Sequence, residues 1–119
     1  MFKGKKVLVL GLAKSGKAAV ELLKFMHADI TINESKKKED IPEYDKYVSE
    51  GIEMVCGGQP DELFERDFDF VVKNPGINYH APFILRLKER GIPVYTEIEL
   101  GYKVAKKQHY IAVTGTNGK

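Results

Sequence analysis

The residues best suited to chemistry lie in turns that combine glycine with lysine and follow strand-like segments. The clearest such turn, Gly115 to Lys119 (GTNGK), follows the apolar segment YIAV. Backbone amides in a turn of this kind, together with the lysine, can surround phosphate oxygens. The strict pattern G-x-x-x-x-G-K-[ST] is only partly met, because Val113 occupies the first glycine position and Lys119 is the last residue. The preceding strand still makes a nucleotide phosphate loop the favoured interpretation of Gly115, Thr116, Asn117, Gly118 and Lys119.

A second glycine turn, GLAKSG, follows the first strand-like segment and spans Gly11 to Gly16. Compared with the dinucleotide pattern G-x-G-x-x-G, it has Ala13 at the middle position, where a glycine would let a pyrophosphate approach the backbone closely. The start of a helix here would still attract an anion through its free amides. Lys14, Ser15 and Gly16 are therefore candidate phosphate contacts, with Ser15 as the expected helix cap. A plain strand-to-helix turn with solvated lysines remains the alternative.

Two further polar turns follow the second and fourth strand-like segments. Glu34, Ser35 and Lys36 close the second one, and Glu34 stands near the position, about 20 residues past the glycines, where dinucleotide folds carry a ribose acceptor. In the other turn Pro75 fixes φ, Gly76 permits a left-handed conformation, and Asn74 offers both a donor and an acceptor. Each turn could equally be an ordinary polar strand end. If the strands are parallel and adjacent, these turns form one site.

The elements that must position these turns alternate along the chain. The pattern predicts strands at 6–10, 29–33, 52–56, 68–72, 93–95 and 110–113, and helices at 17–27, 43–50, 60–64, 83–90 and 97–107. On the first long helix we expect Ala18, Leu22, Phe25 and Met26 to form the buried face. Strands that alternate with helices predict right-handed crossovers. The fold class is therefore α/β: a doubly wound, mostly parallel sheet of five to six strands with helices on both faces.

Composition excludes several classes of protein. The sequence has 119 residues, 43% of them apolar and 30% charged, with a net charge of +2, which is typical of one globular domain. Its single cysteine, Cys56, rules out an internal disulfide framework and fits a reducing cytoplasmic location. We interpret Cys56 as a buried strand-end residue rather than a reactive thiol. The lysine run at 36–38 is followed by Glu39 and Asp40, which argues against a nucleic-acid surface. No apolar run reaches membrane-spanning length, and three scattered histidines predict no metal site.

Together these motifs resemble the Mur ligase family, the ATP-dependent amino-acid ligases of peptidoglycan synthesis. TGTNGK is similar to the family's phosphate-loop signature T-G-[TS]-N-G-K-[ST]. GLAKSG, NPGI and EIEL (Glu97 to Leu100), in this order, look most like the branch that adds D-glutamate to UDP-N-acetylmuramoyl-L-alanine. The resemblance covers the whole chain. It implies a Rossmann-like UDP-substrate-binding domain at 1–105. Residues 106–119 would then be a connector with the first strand and phosphate loop of a central ATP-binding domain cut short at Lys119.

The resemblance also implies roles for individual residues. Lys14, Ser15 and Gly16 match the loop that meets the UDP diphosphate, while Glu34, Ser35 and Lys36 match an Asp-Thr-Arg-like trio at the uracil. Asn74, Pro75 and Gly76 match a Ser-Pro-Gly-like turn beside it, and residues 115–119 match the ATP loop. Lys36 lacks the bidentate fork of an arginine. In the whole enzyme ATP would phosphorylate the alanyl carboxylate, D-glutamate would attack the acyl phosphate, and Mg²⁺ and Lys119 would stabilise the transferring charge. We expect no ATP or Mg²⁺ on these 119 residues alone, and no ligase activity.

Two other functions remain open from the sequence. A free-standing module that binds NAD or FAD would have the same alternation of strands and helices, although Ala13 and the terminal phosphate loop argue against it. The chain could also be an α/β domain that binds neither ligand.

Overall fold

The computed structural model describes residues 3–12, 14–74 and 80–105, with Lys14 and Ser15 described as backbone only. Within these ranges strands and helices alternate, as predicted. In chain order the elements are β1 (Lys6–Leu10), α1 (Lys14–Phe25), β2 (Asp29–Glu34), α2 (Tyr44–Ser49), β3 (Glu53–Cys56), β4 (Phe70–Lys73), α3 (Pro82–Glu89), β5 (Val94–Thr96) and α4 (residues 97–105), with 3-10 turns at Lys38–Asp40 and Asp61–Glu65. The sixth strand predicted at 110–113 lies outside the described residues.

The five strands form one parallel sheet in the order β3-β2-β1-β4-β5. β1 is central, and its residues from Val7 to Leu10 are almost completely buried. Because side chains alternate along a strand, Val7 and Val9 pack on one face of the sheet and Leu8 and Leu10 on the other. This arrangement confirms the predicted fold class, a doubly wound parallel α/β sheet.

Helices cover both faces of this sheet. One apolar cluster joins α1, the α2 region and α4, through residues that include Leu23, Tyr47 and Leu100. The cluster on the opposite face joins α3 to the 3-10 turn at Asp61–Glu65. Ile84 and Leu87 of α3 are fully buried in this cluster. α4 begins at a reciprocal cap: the Glu99 amide donates to Thr96 Oγ1 at 3.2 Å, and the Thr96 amide donates to a Glu99 carboxylate oxygen at 2.8 Å.

The prediction for α1 was wrong in two respects. The helix begins at Lys14, so Ser15 lies in its first turn and not at its cap. Its fully buried residues are Ala19, Val20 and Leu23; of the predicted face, Leu22 and Met26 are half-buried against the same cluster, whereas Phe25 is 67% exposed and Ala18 is also exposed. The sequence between 18 and 26 carries two overlapping apolar stripes at helical spacing. The stripe that faces the sheet is the one in line with Gly16, where the helix comes closest to the strand.

Candidate functional site

The strand order brings the carboxyl ends of β1, β2 and β4 to one edge of the sheet. The chain moves outward from β1 to β2 and β3, and then returns to the other side of β1 as β4. Two hydrogen bonds join the strand ends: the Gly11 amide donates to the Asn33 carbonyl at 2.8 Å, and the Asn74 amide donates to the Leu10 carbonyl at 3.2 Å. A change of direction of this kind is where open α/β sheets bind ligands. The strand ends from which the three turns leave thus lie together, as predicted, while most of the turn after β4 lies outside the described residues.

The first turn is held tight by its two outer glycines. Gly11 has φ +92°, a conformation that side chains rarely adopt, and it lies against the side chain of Asn74. A Cβ at Gly16 would collide with the Gly11 carbonyl oxygen. Gly16 therefore lets the first turn of α1 sit directly on the end of β1. Ala13 lies outside the described residues, and the positions of the Lys14 and Ser15 side chains stay predictions.

Glu34 links the turn after β1 to the turn after β2. It is the last residue of β2 and is 8% exposed. Its Oε1 accepts a hydrogen bond from the Leu12 amide at 2.7 Å, and its Oε2 accepts from the Lys36 amide at 3.0 Å and the Ser35 hydroxyl at 3.3 Å. Burial raises the pKa of this carboxyl, but the amides of Lys36 and Leu12, the Ser35 hydroxyl and the charge of Lys36 together outweigh burial and hold the pKa below its ordinary value. Glu34 is thus an ionised carboxylate that links two turns. We call Glu34 with its hydrogen bonds to Leu12, Ser35 and Lys36 the Glu34 clasp.

The side chains of Ser35 and Lys36, next to Glu34, are exposed, which leaves Lys36 accessible to an anion. Their backbone is fixed from the other side as well, since the Gly57 amide donates to the carbonyls of Glu34 and Lys36, each at 3.0 Å. Asn74 is half-buried where β4 ends, while Pro75 and Gly76 lie outside the described residues, as do Gly115 to Lys119.

Two buried polar residues at this edge were missed by sequence reasoning. Asn33 is 2% exposed, and its Nδ2 donates to the carbonyls of Val55 at 3.1 Å and Gly58 at 2.7 Å, which ties β2 to the turn after β3. Lys73 is 3% exposed at the end of β4, and burial lowers its pKa. The signal available for both was a polar residue that directly follows a β-branched run.

An ion pair between α1 and the start of α2 lies beside this edge of the sheet. Lys17 of α1 donates a hydrogen bond at 2.9 Å to Oε2 of Glu43, the residue immediately before α2. A small cavity of about 40 Å³ lies between this pair and the clasp, lined by residues that include Leu12, Glu34 and Lys36.

Other kinds of site find no support in the described ranges. No group of three or more His, Cys, Asp and Glu side chains there could hold a metal ion. No helix among the same residues is both long and apolar enough to cross a membrane.

Comparison with known proteins gives a consistent result. The family model described as "Mur ligase MurD-like, N-terminal domain" matches residues 5–96. A UDP-N-acetylmuramoylalanine--D-glutamate ligase of Streptococcus thermophilus is 50% identical over 117 residues, which cover 98% of this chain and 26% of the relative. The enzyme of the same name from Streptococcus agalactiae is 48% identical over 118 residues, with 99% and 26% coverage. The chain thus spans about a quarter of the length of these curated relatives.

Among solved structures, a shikimate dehydrogenase from Aquifex aeolicus superposes with a TM-score of 0.49 and 15% identity, covering 81% of this chain and 43% of that one. The likeness is too slight to add to the fold assignment made from strand order.

Proposed function

The chain belongs to the family of Mur ligase MurD-like N-terminal domains, and from that premise we propose that it binds UDP-N-acetylmuramoyl-L-alanine for a cytoplasmic, ATP-dependent ligase that adds D-glutamate to this substrate. The names of its relatives support the substrate and the amino acid. The observation that carries the proposal is that the strand ends from which three polar turns leave lie side by side where the strand order reverses.

In this proposal the UDP moiety lies along the edge formed by the ends of β2, β1 and β4. The first turn of α1, with Lys14, Ser15 and Gly16, meets the diphosphate through free amides and positive charge. Glu34, Ser35 and Lys36 hold the uracil end, and the turn Asn74-Pro75-Gly76 forms the opposite wall. Gly16 supports this arrangement, because its contact with Gly11 keeps the helix start close to the strand end. The Glu34 clasp supports it too, by fixing two of the turns before a ligand arrives.

We further propose that residues 1–105 form this substrate domain and that 106–119 lead into an ATP-binding domain. In that domain Gly115, Thr116, Asn117, Gly118 and Lys119 would hold the ATP phosphates, and ATP with Mg²⁺ would activate the substrate carboxylate. The described residues contribute binding and orientation only. The 119-residue chain alone is therefore expected to be inactive, and ATP turnover above background by the purified chain would count against this division of labour.

Titration of the purified chain with UDP, NAD and NADP tests the proposed function. We expect a saturable response to UDP and none to NAD, measured by calorimetry or by chemical-shift changes at Leu12 and Lys36. The dinucleotide-binding alternative predicts the reverse, and that result would overturn the proposal. Lys36→Met should weaken UDP binding, whereas Lys3→Met, which removes an exposed lysine just before the amino end of β1, should not.

A further inference from the structure

The helix that follows β5 carries apolar side chains on two opposite sides. Leu100 and Val104 of α4 are buried in the core cluster that covers one face of the sheet. Ile98 and Tyr102, in contrast, are 64% and 78% exposed. Residues four positions apart lie one above the other on a helix, whereas a step of two positions turns about 200° around its axis. The exposed pair therefore lies on the side of α4 that faces away from the sheet.

The outer side of α4 is a continuous uncharged stripe. By helical spacing Gly101 and Ala105 fall on the same side as Ile98 and Tyr102, and Ala105 is exposed. A Cβ added at Gly101 would meet nothing within 4 Å, so the surface is open there. We call these four residues the α4 outer face. A helix that is apolar on two sides is typical of one packed on both sides.

The other large apolar side chains that are exposed in the described ranges do not group in this way. They are Phe25, Val48 and Leu85, and each lies on a different helix. Single apolar residues scattered over a surface are ordinary, whereas a contiguous set indicates an interaction surface. The α4 outer face is such a set.

The inner side of α4 is firmly attached to the end of the sheet. The reciprocal cap between Thr96 and Glu99 holds its first turn to β5. Further along, Lys103 Nζ lies 4.9 Å from the centroid of the Tyr95 ring, which is within the range of a cation–π interaction. A partner seated on the outer face would therefore be held in a fixed orientation relative to β5.

The place of α4 in the chain indicates which partner covers this face. The N-terminal-domain model that matches the chain ends at residue 96, the last residue of β5, so α4 is the first element beyond that unit. The matched residues make up 26% of the length of the two relatives. Their greater length leaves room for the further domain that the proposed function requires, and α4 stands where that domain would join.

We propose that the α4 outer face is the surface on which the next domain of the longer ligase packs, through an apolar, uncharged patch of its own. This inference rests on the proposed function, of which it uses only the division into domains and not the ligand. Through its attachment to β5, α4 then fixes the ATP-binding domain relative to the edge that binds the substrate.

The test compares the 119-residue chain with a joined protein, in which the part of the Streptococcus thermophilus ligase beyond its matched residues follows this chain. Ile98→Cys places a thiol on the outer face and leaves Tyr102 in position. Phe25→Cys is the matched control, because Phe25 is 67% exposed and lies on α1. The readout is the rate at which N-ethylmaleimide alkylates each thiol, followed by mass spectrometry of the labelled peptides.

Joining the domains should slow alkylation at Ile98→Cys by roughly tenfold or more, because the thiol then reacts only when the interface opens. The rate at Phe25→Cys should stay the same. Adding Tyr102→Lys to Ile98→Cys places a charge in the interface and should restore fast alkylation in the joined protein.

Three results would contradict the inference. One is an equal rate at Ile98→Cys in the two proteins, and another is an equal slowing at Phe25→Cys. The third is alkylation of Ile98→Cys in the isolated chain that slows as the protein concentration rises, since a second copy would then cover the face. Should the joined protein fail to fold, the Streptococcus thermophilus ligase takes the same test at the residue aligned with Ile98, and fast alkylation there contradicts the inference.

The two proposals fail differently. If the isolated chain binds UDP but joining does not protect Ile98→Cys, the substrate proposal survives and the docking surface is refuted. If joining protects Ile98→Cys but UDP does not bind, the docking surface stands and the substrate assignment fails.

Discussion

The two ends of the parallel sheet carry similar polar groups in very different surroundings. At each end a lysine of α1 pairs with a glutamate that flanks α2: Lys17 with Glu43 at the carboxyl ends of the strands, and Lys24 with Glu50 at the amino ends, both at 2.9 Å. The two lysines are about two helical turns apart. The same pair of elements thus presents the same chemistry at both ends of the sheet.

A second pair of groups, two carboxylates that accept hydrogen bonds from backbone amides, also occurs once at each end of the sheet. Glu34 accepts from the Leu12 amide where β1 ends, and Asp69 accepts from the Lys6 amide where β1 begins, each at 2.7 Å. The first hydrogen bond is buried and the second is exposed. An acceptor shielded from water acts more strongly on the groups around it. The two hydrogen bonds therefore differ in the strength we expect of them, although their lengths are equal.

Cavity volume does not distinguish the two ends of the sheet. A cavity of about 370 Å³ lies at the amino ends of β2 and β3, lined by residues that include His27 and Asp29. At the carboxyl end of β3 a cavity of about 360 Å³ is lined by residues that include Tyr44 and Cys56, and the cavity beside Glu34 is much smaller. Parallel α/β sheets bind ligands at the carboxyl ends of strands, so position, rather than volume or an inventory of charges, distinguishes a site.

Close backbone packing at the carboxyl end gives the largest expected effect. Gly16→Ala places a Cβ against the Gly11 carbonyl oxygen, a backbone atom that cannot rotate away. We expect a loss of roughly 3 kcal/mol in the free energy of unfolding, at the upper part of the overpacking range, measured by urea denaturation. UDP binding should weaken as well, because the helix start moves.

Gly101→Ala is the matched control for this substitution. Gly101 is also helical, in α4, and an added Cβ there would meet nothing within 4 Å. The change should stabilise the chain by roughly 0.5–1 kcal/mol. Equal effects at the two glycines would show that α1 does not rest on the end of β1 as described.

The two carboxylates that accept from backbone amides, Glu34 and Asp69, give the next largest expected difference in stability. Glu34→Gln replaces one acceptor oxygen by an amide nitrogen, which leaves a buried amide of Leu12 or Lys36 poorly paired. This should cost about 1–3 kcal/mol of unfolding free energy. Asp69→Asn at the exposed end should cost no more than about 0.5 kcal/mol. Comparable losses for the two variants would remove the distinction between the two ends.

Acid titration sharpens the same comparison with a smaller effect. The folded-state pKa of Glu34 lies below its ordinary value of 4.5. Its contribution to stability is therefore fully present above the unfolded-state value and is lost as the pH falls through the folded-state pKa. The melting temperature of the wild-type chain should decline below about pH 4.5 more steeply than that of Glu34→Gln. Parallel acid limbs for the two proteins would show that the clasp does not depend on ionisation.

The sequence predicted the scaffold better than the contacts within the site. β1 was predicted with its observed bounds, because a central strand buried on both faces is a continuous apolar run. The clustering of the ends of β1, β2 and β4 was predicted on the condition that these strands are parallel and adjacent, and the structure supplies that adjacency. The Glu34 clasp did not, because it depends on a side chain reaching an amide 22 positions earlier. The buried face of α1 was mistaken because the sequence offered two stripes and only the contact at Gly16 selects one.

The smallest expected effect is on the rate at which the thiol of Cys56 is alkylated. Cys56 is the last residue of β3, at the same edge of the sheet as Glu34. The thiol is half-buried, and burial, with the nearby charge of Glu34, raises its pKa. Only the thiolate reacts readily, so Cys56 should be alkylated by iodoacetamide at pH 7.5 more slowly than glutathione. Glu34→Gln removes one of the two causes and should speed the reaction slightly. Labelling as fast as that of a free thiol would mean that this edge is more open than its hydrogen bonds indicate, and would weaken the contrast between the two ends of the sheet.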